Sequence, residues 1–169
     1  MGKSVEGDRV VLRPLEPSLF EQYLARFSEK VRLFLGVDSI DDERRYLAMH
    51  YQRMQEGSVH FFCIFLKDSQ EMVGAVEIRP PEFRGNFYGW IHENYWAQGL
   101  FQDAVRTSLH YYFTHYPHEF VLTAWVDESN VGSIVAFERV GFMRHLKHKG
   151  PREDQWELIY LKAIACPVG

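Results

Sequence analysis

The chain is poor in cysteine, and it contains no long apolar run. Cys63 and Cys166 are the two cysteines among 169 residues, and they provide neither a disulfide framework nor the cysteine spacing of a metal site. No stretch reaches the roughly 18 apolar residues of a membrane span, and no apolar signal region opens the chain. We therefore expect a cytoplasmic protein without a membrane partner. Cys63 lies in the apolar run 61–65 and is predicted to be a buried, reduced thiol.

The chain also lacks an excess of positive charge. Its formal net charge is −4, whereas a nucleic-acid-binding protein needs a basic face, so no nucleic-acid partner is expected. The sequence has no internal repeat or low-complexity linker, and its length suffices for one core. The prediction is a single domain over residues 1–169, as a monomer or a homodimer. No metal is expected, because His110 and His115 are five positions apart and do not share a helix face.

Hydrophobic periodicity predicts an α/β protein. Alternating or continuous apolar runs indicate strands at 9–15, 60–66, 72–79, 87–92, 120–126, 142–147 and 156–161. Helical spacing indicates helices at 18–30, 41–56, 98–115 and 134–140. Hairpin strands thus come first and a β-α-β-α-β unit follows, which implies a mixed layered structure with the crossover helix packed on the sheet.

The passage from strand 87–92 into helix 98–115 has the chemistry of an anion site. The first N–H groups of a helix have no internal partner, and the helix dipole is positive there. Gly99 removes a side chain where a phosphate approaches the backbone closely. Gln98 adds a neutral donor. Taken alone, the same pattern also describes an ordinary capped helix.

A second stretch, residues 130–142, has a helix cap at Asn130 and a left-handed exit at Gly141. Together the two stretches resemble the GNAT superfamily of N-acetyltransferases, and within it the branch of the ribosomal-protein N-terminal acetyltransferases. The branch pattern Tyr-Trp-Gly-Gln/Arg-Gly-Tyr-Ala-x-Glu-Ala aligns with residues 95–104. The later pattern Asn-x-x-Ser-x-x-x-x-Glu-Lys-x-Gly-Phe aligns with residues 130–142. The resemblance covers residues 8–163.

The resemblance implies an acyl-CoA N-acyltransferase fold with a mixed, mostly antiparallel twisted sheet of about six to seven strands flanked by helices. It also implies acetyl-CoA as cosubstrate and direct transfer of the acetyl group to a primary amine. The acceptor stays open between a protein N-terminus, an amino acid, a polyamine and an antibiotic. The residues implied in cofactor binding are Trp90, Ile91, His92, Gln98, Gly99, Leu100, Phe101, Gln102, Asn130 and Ser133.

Three side chains are candidates for the chemistry. Ser133 is the candidate acid or thiol partner by its place in the later pattern. Glu77 alternates with Val76 and Ile78, so it faces either solvent or the cleft, and it is a candidate base. His92 is a second candidate base, because it ends the strand beside the turn and imidazole exchanges protons near neutral pH. Each also has an ordinary interpretation, as a first-turn helix residue, a solvated strand residue and a loop histidine.

Four positions depart from the branch pattern. Ala97 replaces a glycine and fits the turn if its φ is negative. Phe101 replaces an alanine and must point away from the phosphates. Asn86 and Phe137 stand where the family often has an acidic residue and a tyrosine, and neither can act as acid or base. Two alternatives to an enzyme therefore stay open: a non-catalytic acyl-CoA-binding module, and a structural or interaction domain of the same fold.

Overall fold

The computed structural model describes residues 3–163, which form strands and helices in the order β-β-α-α-α-β-β-β-α-β-α-β-β. The strands are β1 (Val5–Glu6), β2 (Val10–Pro14), β3 (His60–Leu66), β4 (Met72–Ile78), β5 (Phe87–Ile91), β6 (Val121–Asp127), β7 (Met143–Lys149) and β8 (Asp154–Leu161). The α-helices are α1 (Phe20–Arg26), α2 (Glu29–Leu35), α3 (Ile40–Gln55), α4 (Leu100–His115) and α5 (Val131–Val140). No helix in this range is both long and apolar enough to cross a membrane.

These strands join one sheet in the order β1-β2-β3-β4-β5-β6-β8-β7. Neighbouring strands are antiparallel except β5 and β6, which are parallel. The crossover through α4 explains this exception, because a hairpin cannot join parallel strands. The predicted mixed, mostly antiparallel α/β fold is confirmed. The sheet has eight strands rather than six or seven, because the two-residue strand β1 precedes β2.

Helices cover both faces of the sheet. Leu109 of α4 belongs to the core on one face, and Leu47 of α3 packs with Trp90 of β5 on the other. Cys63 lies in the second core and is fully buried, and this burial raises the pKa of its thiol to about 12. The predicted buried thiol is confirmed for Cys63. Cys166 lies outside the described residues.

The predicted helix over 18–30 is wrong in its extent, because the chain forms two helices there. α1 ends at Arg26, and Ser28 caps the start of α2 by accepting a hydrogen bond from the Val31 N–H at 3.1 Å. α2 then runs five residues beyond the predicted end, to Leu35, and Gly36 closes it with φ at 71°. A serine at this position stabilises a helix start, because its side chain accepts a hydrogen bond from one of the first N–H groups, which have no partner within the helix.

Candidate functional site

The turn before α4 is built from two left-handed residues. Gly99 precedes the helix with φ at 77°, and Ala97 has φ at 59°. The condition of a negative φ for Ala97 is therefore not met, and the alanine sits in a region that costs an L-residue about 1–2 kcal/mol. The Gln98 amide donates to the Asn94 carbonyl at 2.9 Å, so this side chain braces the turn. The first N–H groups of α4 lie beyond it.

The outer side of this turn is held by the N-terminal hairpin. The Asp103 carboxylate accepts hydrogen bonds from the backbone N–H groups of Asp8, Arg9 and Val10 at 2.7–3.1 Å. These donors offset the negative charge that Asp103 brings into the first turn. The Arg9 guanidinium is exposed and donates to the Gln98 carbonyl at 2.7 Å. A cation thus lies beside the turn, which the local motif could not reveal because Arg9 is 89 positions away from Gln98.

β5 and β6 are joined at one end and separate from there. Their register contains the single pair Phe87 and Ala124. Asn86 closes this end, because its amide donates to the carbonyls of Pro80 and Phe83 at 2.9 and 2.6 Å and its oxygen accepts from the Thr123 hydroxyl at 2.9 Å. The position that is often acidic in the family therefore needs an amide here, since a carboxylate could not donate. Past this joint, a gap opens between the strands.

The register of β5 decides which backbone groups face the gap. The N–H of His92 donates to Val73 in β4 at 2.8 Å, and backbone direction alternates along a strand. Trp90 and His92 therefore direct their N–H groups at β4, and Gly89 and Ile91 direct theirs at the gap. Of the three predicted backbone contacts in β5, Ile91 is the one with an N–H on this side. Its carbonyl accepts from the Trp96 indole at 2.7 Å.

Two cavities meet in this gap. The first, here called the helix cleft, has a volume of about 550 Å³ and lies between α2, β5 and the N-terminal ends of α4 and α5. The second, the strand cleft, has a volume of about 230 Å³ and lies between β5 and β6. The residues that line both are Phe34, Leu35, Gly89, Phe101, Asn130 and Ser133. The two clefts therefore adjoin each other, and these shared residues mark their junction.

The positive ends of two helices face the helix cleft. Its lining includes Gly99, Phe101 and Gln102 at the start of α4, together with residues 129–133 at the start of α5. Asn130 caps α5 by accepting from the Ser133 N–H at 3.0 Å, so α5 begins three residues earlier than predicted. Of the predicted cofactor-binding residues, Trp90, Ile91, Gly99, Phe101, Gln102, Asn130 and Ser133 line this cleft. Leu100 is buried in the core below it.

Glu77 lies behind the strand cleft and not in solvent. Its carboxylate is 1% exposed, accepts from the Tyr46 hydroxyl and pairs with Arg79 Nε at 2.6 Å. His50 Nδ1 is 3.5 Å away on α3, and burial lowers the pKa of this histidine. Arg79 and Tyr88 line the strand cleft in front of Glu77. The carboxylate is therefore separated from the junction by its own partners.

A second buried carboxylate, Glu43, lies near Glu77 with hydrogen-bond partners of its own. It accepts from the Tyr23 hydroxyl at 2.6 Å, and the Trp90 indole donates to that hydroxyl at 3.0 Å. Burial raises the pKa of Glu43, and the nearby charge of Glu77 adds to the rise. Burial also raises the pKa of Tyr88, with both carboxylates contributing. Two buried carboxyl groups thus lie behind the strand cleft: Glu77 is paired with Arg79, and burial favours the neutral form of Glu43.

His92 lies apart from the junction and lines neither cleft. Its Nδ1 accepts from the Asn94 N–H at 3.2 Å, and Glu93 is 3.8 Å away. These contacts make it the cap of a short 3-10 turn at 93–95. Within residues 3–163, no group of three or more His, Cys, Asp or Glu side chains is placed to hold a metal ion.

The open mouth of the strand cleft is bridged by Arg152 from the β7–β8 loop. Its guanidinium donates to the carbonyls of Leu33 and Phe34 at 3.3 and 3.0 Å and pairs with Asp127. The end of α2 is thereby fixed over the cleft. Trp125 forms the wall opposite Phe34 and is 45% exposed.

Comparisons with known proteins agree with this architecture. A GnaT-family acetyltransferase from Bordetella pertussis shares the fold at 18% identity, with a TM-score of 0.78 over 96% of this chain and 100% of that chain. An acetyl transferase from Salmonella typhimurium, described as modifying the N-terminal serine of ribosomal protein L7/L12, has a TM-score of 0.79 at 14% identity, covering 95% and 100%. RimL in complex with coenzyme A has a TM-score of 0.76 at 14% identity, covering 95% and 98%.

Among curated protein sequences there is no significant match. The sequence model of the acetyltransferase (GNAT) domain matches residues 9–143. That range begins at Arg9 beside the turn and includes β5, α4 and the whole of α5. It therefore contains every residue that lines the junction of the two clefts. The chain belongs to the GNAT family of N-acetyltransferases.

Proposed function

We propose that the protein uses acetyl-CoA to acetylate a primary amine by direct transfer. The observation that carries this proposal is the junction, where the helix cleft and the strand cleft meet through the gap between β5 and β6. A donor in one cleft and an acceptor in the other would have their reacting atoms side by side. Such placement can supply about 7–11 kcal/mol of a bimolecular barrier.

The helix cleft is the side that suits acetyl-CoA. Free N–H groups at the start of α4, the positive ends of α4 and α5, and the Arg9 cation all favour a pyrophosphate. The gap-facing N–H groups of Gly89 and Ile91 would pair with the amide chain that follows. This assignment keeps Gln98, Leu100 and Ile91 as backbone contacts and moves the other strand contact from Trp90 and His92 to Gly89.

The strand cleft is the side that suits the amine. It is the cleft that stays free when coenzyme A occupies the helix cleft. Its two arginines, Arg79 and Arg152, are each paired with a carboxylate, Glu77 and Asp127, so neither is an unpaired cation that would repel an amine. The structurally similar protein from Salmonella typhimurium is described as acting on an N-terminal serine. A protein N-terminus is therefore the first acceptor to test, with small-molecule amines as the second class.

Ser133 remains the best-placed of the three catalytic candidates, because it lines both clefts. In the proposed step the cationic amine first gives up one proton, through water, to the Glu77 network, since Glu77 does not reach the junction directly. The neutral nitrogen then attacks the thioester carbon, the C–S bond breaks, and the sulfur takes a proton from the Ser133 hydroxyl. The second proton of the amine passes through water to the Ser133 oxygen and restores its hydroxyl. His92 is the weakest candidate, because it lines neither cleft.

The alternative of a non-catalytic acyl-CoA-binding module rests on two residues. Phe137 carries no hydroxyl, and the amide of Asn86 is used in the joint between the strands. Neither residue can move a proton, so the module would bind the donor without turning it over.

Purified protein, acetyl-CoA and a panel of N-terminal peptides and small amines separate the two functions. We expect acetyl-CoA to bind, coenzyme A to be released with at least one amine, and mass spectrometry to show an acetylated product. S133A should lower kcat by roughly 10²-fold, since a well-placed acid contributes about 10²–10⁴-fold, with little change in KM for acetyl-CoA. S58A removes an exposed serine far from the clefts and serves as the control. Binding without release above background for any amine would favour the module.

A further inference from the structure

Phe101 occupies the junction, where the branch pattern has a small residue. It is the second residue of α4, and it lines both the helix cleft and the strand cleft. Its ring packs edge to face on Phe137 with centroids 5.6 Å apart, and Phe87 is 6.5 Å away. Phe87 and Phe137 are themselves packed at 5.6 Å and are 3% and 4% exposed. These two rings form a fixed wall against which the Phe101 ring is held.

The opposite side of the Phe101 ring faces the backbone of β5. A Cβ atom placed on Gly89 would be 3.3 Å from Cε2 of this ring, 3.1 Å from Val76 and 3.2 Å from the Ala75 carbonyl. The ring therefore lies directly over Gly89, at the point where β5 separates from β6. The ring fits here because Gly89 has no side chain. The ring and the Gly89 backbone together determine how wide the gap is.

We propose that the Phe101 ring closes the acyl pocket and restricts the donor to a short acyl group. This inference rests on the proposed function, which places the thioester carbon at the junction beside Gly89 and Ser133. An acetyl group ends there. The strand cleft beyond it is lined by the polar side chains of Arg79, Asp127, Arg152 and Gln155, so the apolar space for further methylenes is the space that the ring fills. Behind the ring lie Phe87 and Phe137, which are buried and cannot move aside without opening the core.

In the F101A variant the ring that closes the acyl pocket is absent, so the pocket should extend into an apolar space. The removed ring leaves a cavity walled by Phe87 and Phe137, which suits a hydrocarbon chain. A hydrophobic pocket discriminates one methylene by roughly 10- to 200-fold. We therefore expect at least a tenfold preference of the natural protein for acetyl-CoA over butyryl-CoA, and we expect this preference to disappear or reverse in the F101A variant.

The test measures dissociation constants by calorimetry for coenzyme A, acetyl-CoA, butyryl-CoA and hexanoyl-CoA, so it needs no acceptor. The natural protein, F101A and F101L form a graded series, and F101L keeps the fold if F101A does not. F113A is the matched control, because Phe113 lies on the same helix and packs on Tyr160 away from both clefts. It should retain the natural preference.

The outcomes separate this inference from the function on which it rests. Failure of the natural protein to bind coenzyme A overturns the proposed function, and the acyl filter with it. If coenzyme A binds but the acetyl-to-butyryl ratio is the same in the natural protein, F101A and F101L, the filter alone is wrong. A ratio that shifts equally in F113A and F101A also overturns it, because the effect would then come from general loosening of α4.

Discussion

The positive charge at the turn before α4 comes from the first strand and not from the turn. The Gln98 side chain is neutral, and its amide donates a hydrogen bond to the Asn94 carbonyl. The exposed Arg9 guanidinium, in contrast, carries a positive charge and donates to the Gln98 carbonyl at 2.7 Å. An exposed cation near a pyrophosphate acts over about 10 Å at 0.1 M salt. Arg9 is thus the residue that should make coenzyme A binding depend on ionic strength.

We predict that R9Q weakens coenzyme A binding by about 3- to 10-fold at low salt, as expected for an exposed charge-assisted contact. The loss should shrink above about 0.5 M salt, where screening removes most of the effect. Calorimetry over a salt series measures both. R9K should keep most of the affinity, and R106Q, an exposed arginine of α4, should bind as the natural protein does. If R9K binds as weakly as R9Q, the role of Arg9 lies in its geometry and not in its charge.

Single residues of the site were predictable where a local pattern controls them. Gly99, Asn130 and Ser133 follow from the motifs, because caps and turns are decided by a few neighbours. The left-handed φ of Ala97 was not predictable, because residues other than glycine rarely adopt this region and nothing in the local sequence marks the exception. The burial of Glu77 was equally hidden, since period-2 alternation gives the face of a strand and not what covers it.

At the scale of elements, α4 is fastened at both of its ends. Asp103 ties its start to the first hairpin, and His60 of β3 ties its end through the hydroxyls of Tyr111 and Tyr116 at 2.9 and 3.0 Å. Both ring nitrogens of His60 are thus used, which suits a neutral imidazole with one donor and one acceptor. Burial, with His115 nearby, lowers the pKa of His60 to about 4. Protonation of His60 in acid should therefore disrupt its hydrogen bonds with Tyr111 and Tyr116.

The sign of this effect follows from linkage. The unfolded chain protonates His60 near its ordinary pKa of 6.5, whereas the folded chain resists protonation down to about 4. Stability is thus fully present above pH 6.5 and is lost as the pH falls from 6.5 to 4, by at most about 3 kcal/mol before allowance for solvent screening. H60Q should be less stable at pH 7 and lose less on acidification. Urea unfolding between pH 7 and 4.5 measures the free energy of unfolding of each variant and its slope against pH. The control H118Q changes a histidine at an exposed site and should keep the slope of the natural protein. Equal slopes in H60Q and the natural protein would contradict the assignment.

Elements were predictable in type and less so in their ends. The strands and the three later helices follow from periodicity, because each buries one face. The break at Ser28 was missed although Ser28 followed by Glu29 is a helix-start signal, because the apolar spacing of 18–30 continues through it. β1 was missed because two residues carry no period.

At the scale of the whole molecule, the sheet consists of two parts that meet at one joint. Strands β1 to β5 form one part and β6, β8 and β7 the other, and the Phe87–Ala124 pair connects them. The gap past this joint is what allows a donor and an acceptor to meet. The order of the strands was not predicted, since chain order does not reveal that β8 lies between β6 and β7.

This arrangement predicts that the joint tolerates little change at Asn86, which is 3% exposed. In N86D a carboxylate would face the carbonyls of Pro80 and Phe83 instead of donating to them. A buried charge without a partner costs about 3–5 kcal/mol, and protonation would relieve part of it. We expect N86D to lose about 3 kcal/mol or more in urea unfolding at pH 8 and less at pH 5, with coenzyme A binding weakened in parallel. N94D, at an exposed asparagine, should change stability by no more than about 0.5 kcal/mol. A loss in N86D that is independent of pH would indicate that packing, and not the amide donor, holds the two parts of the sheet together.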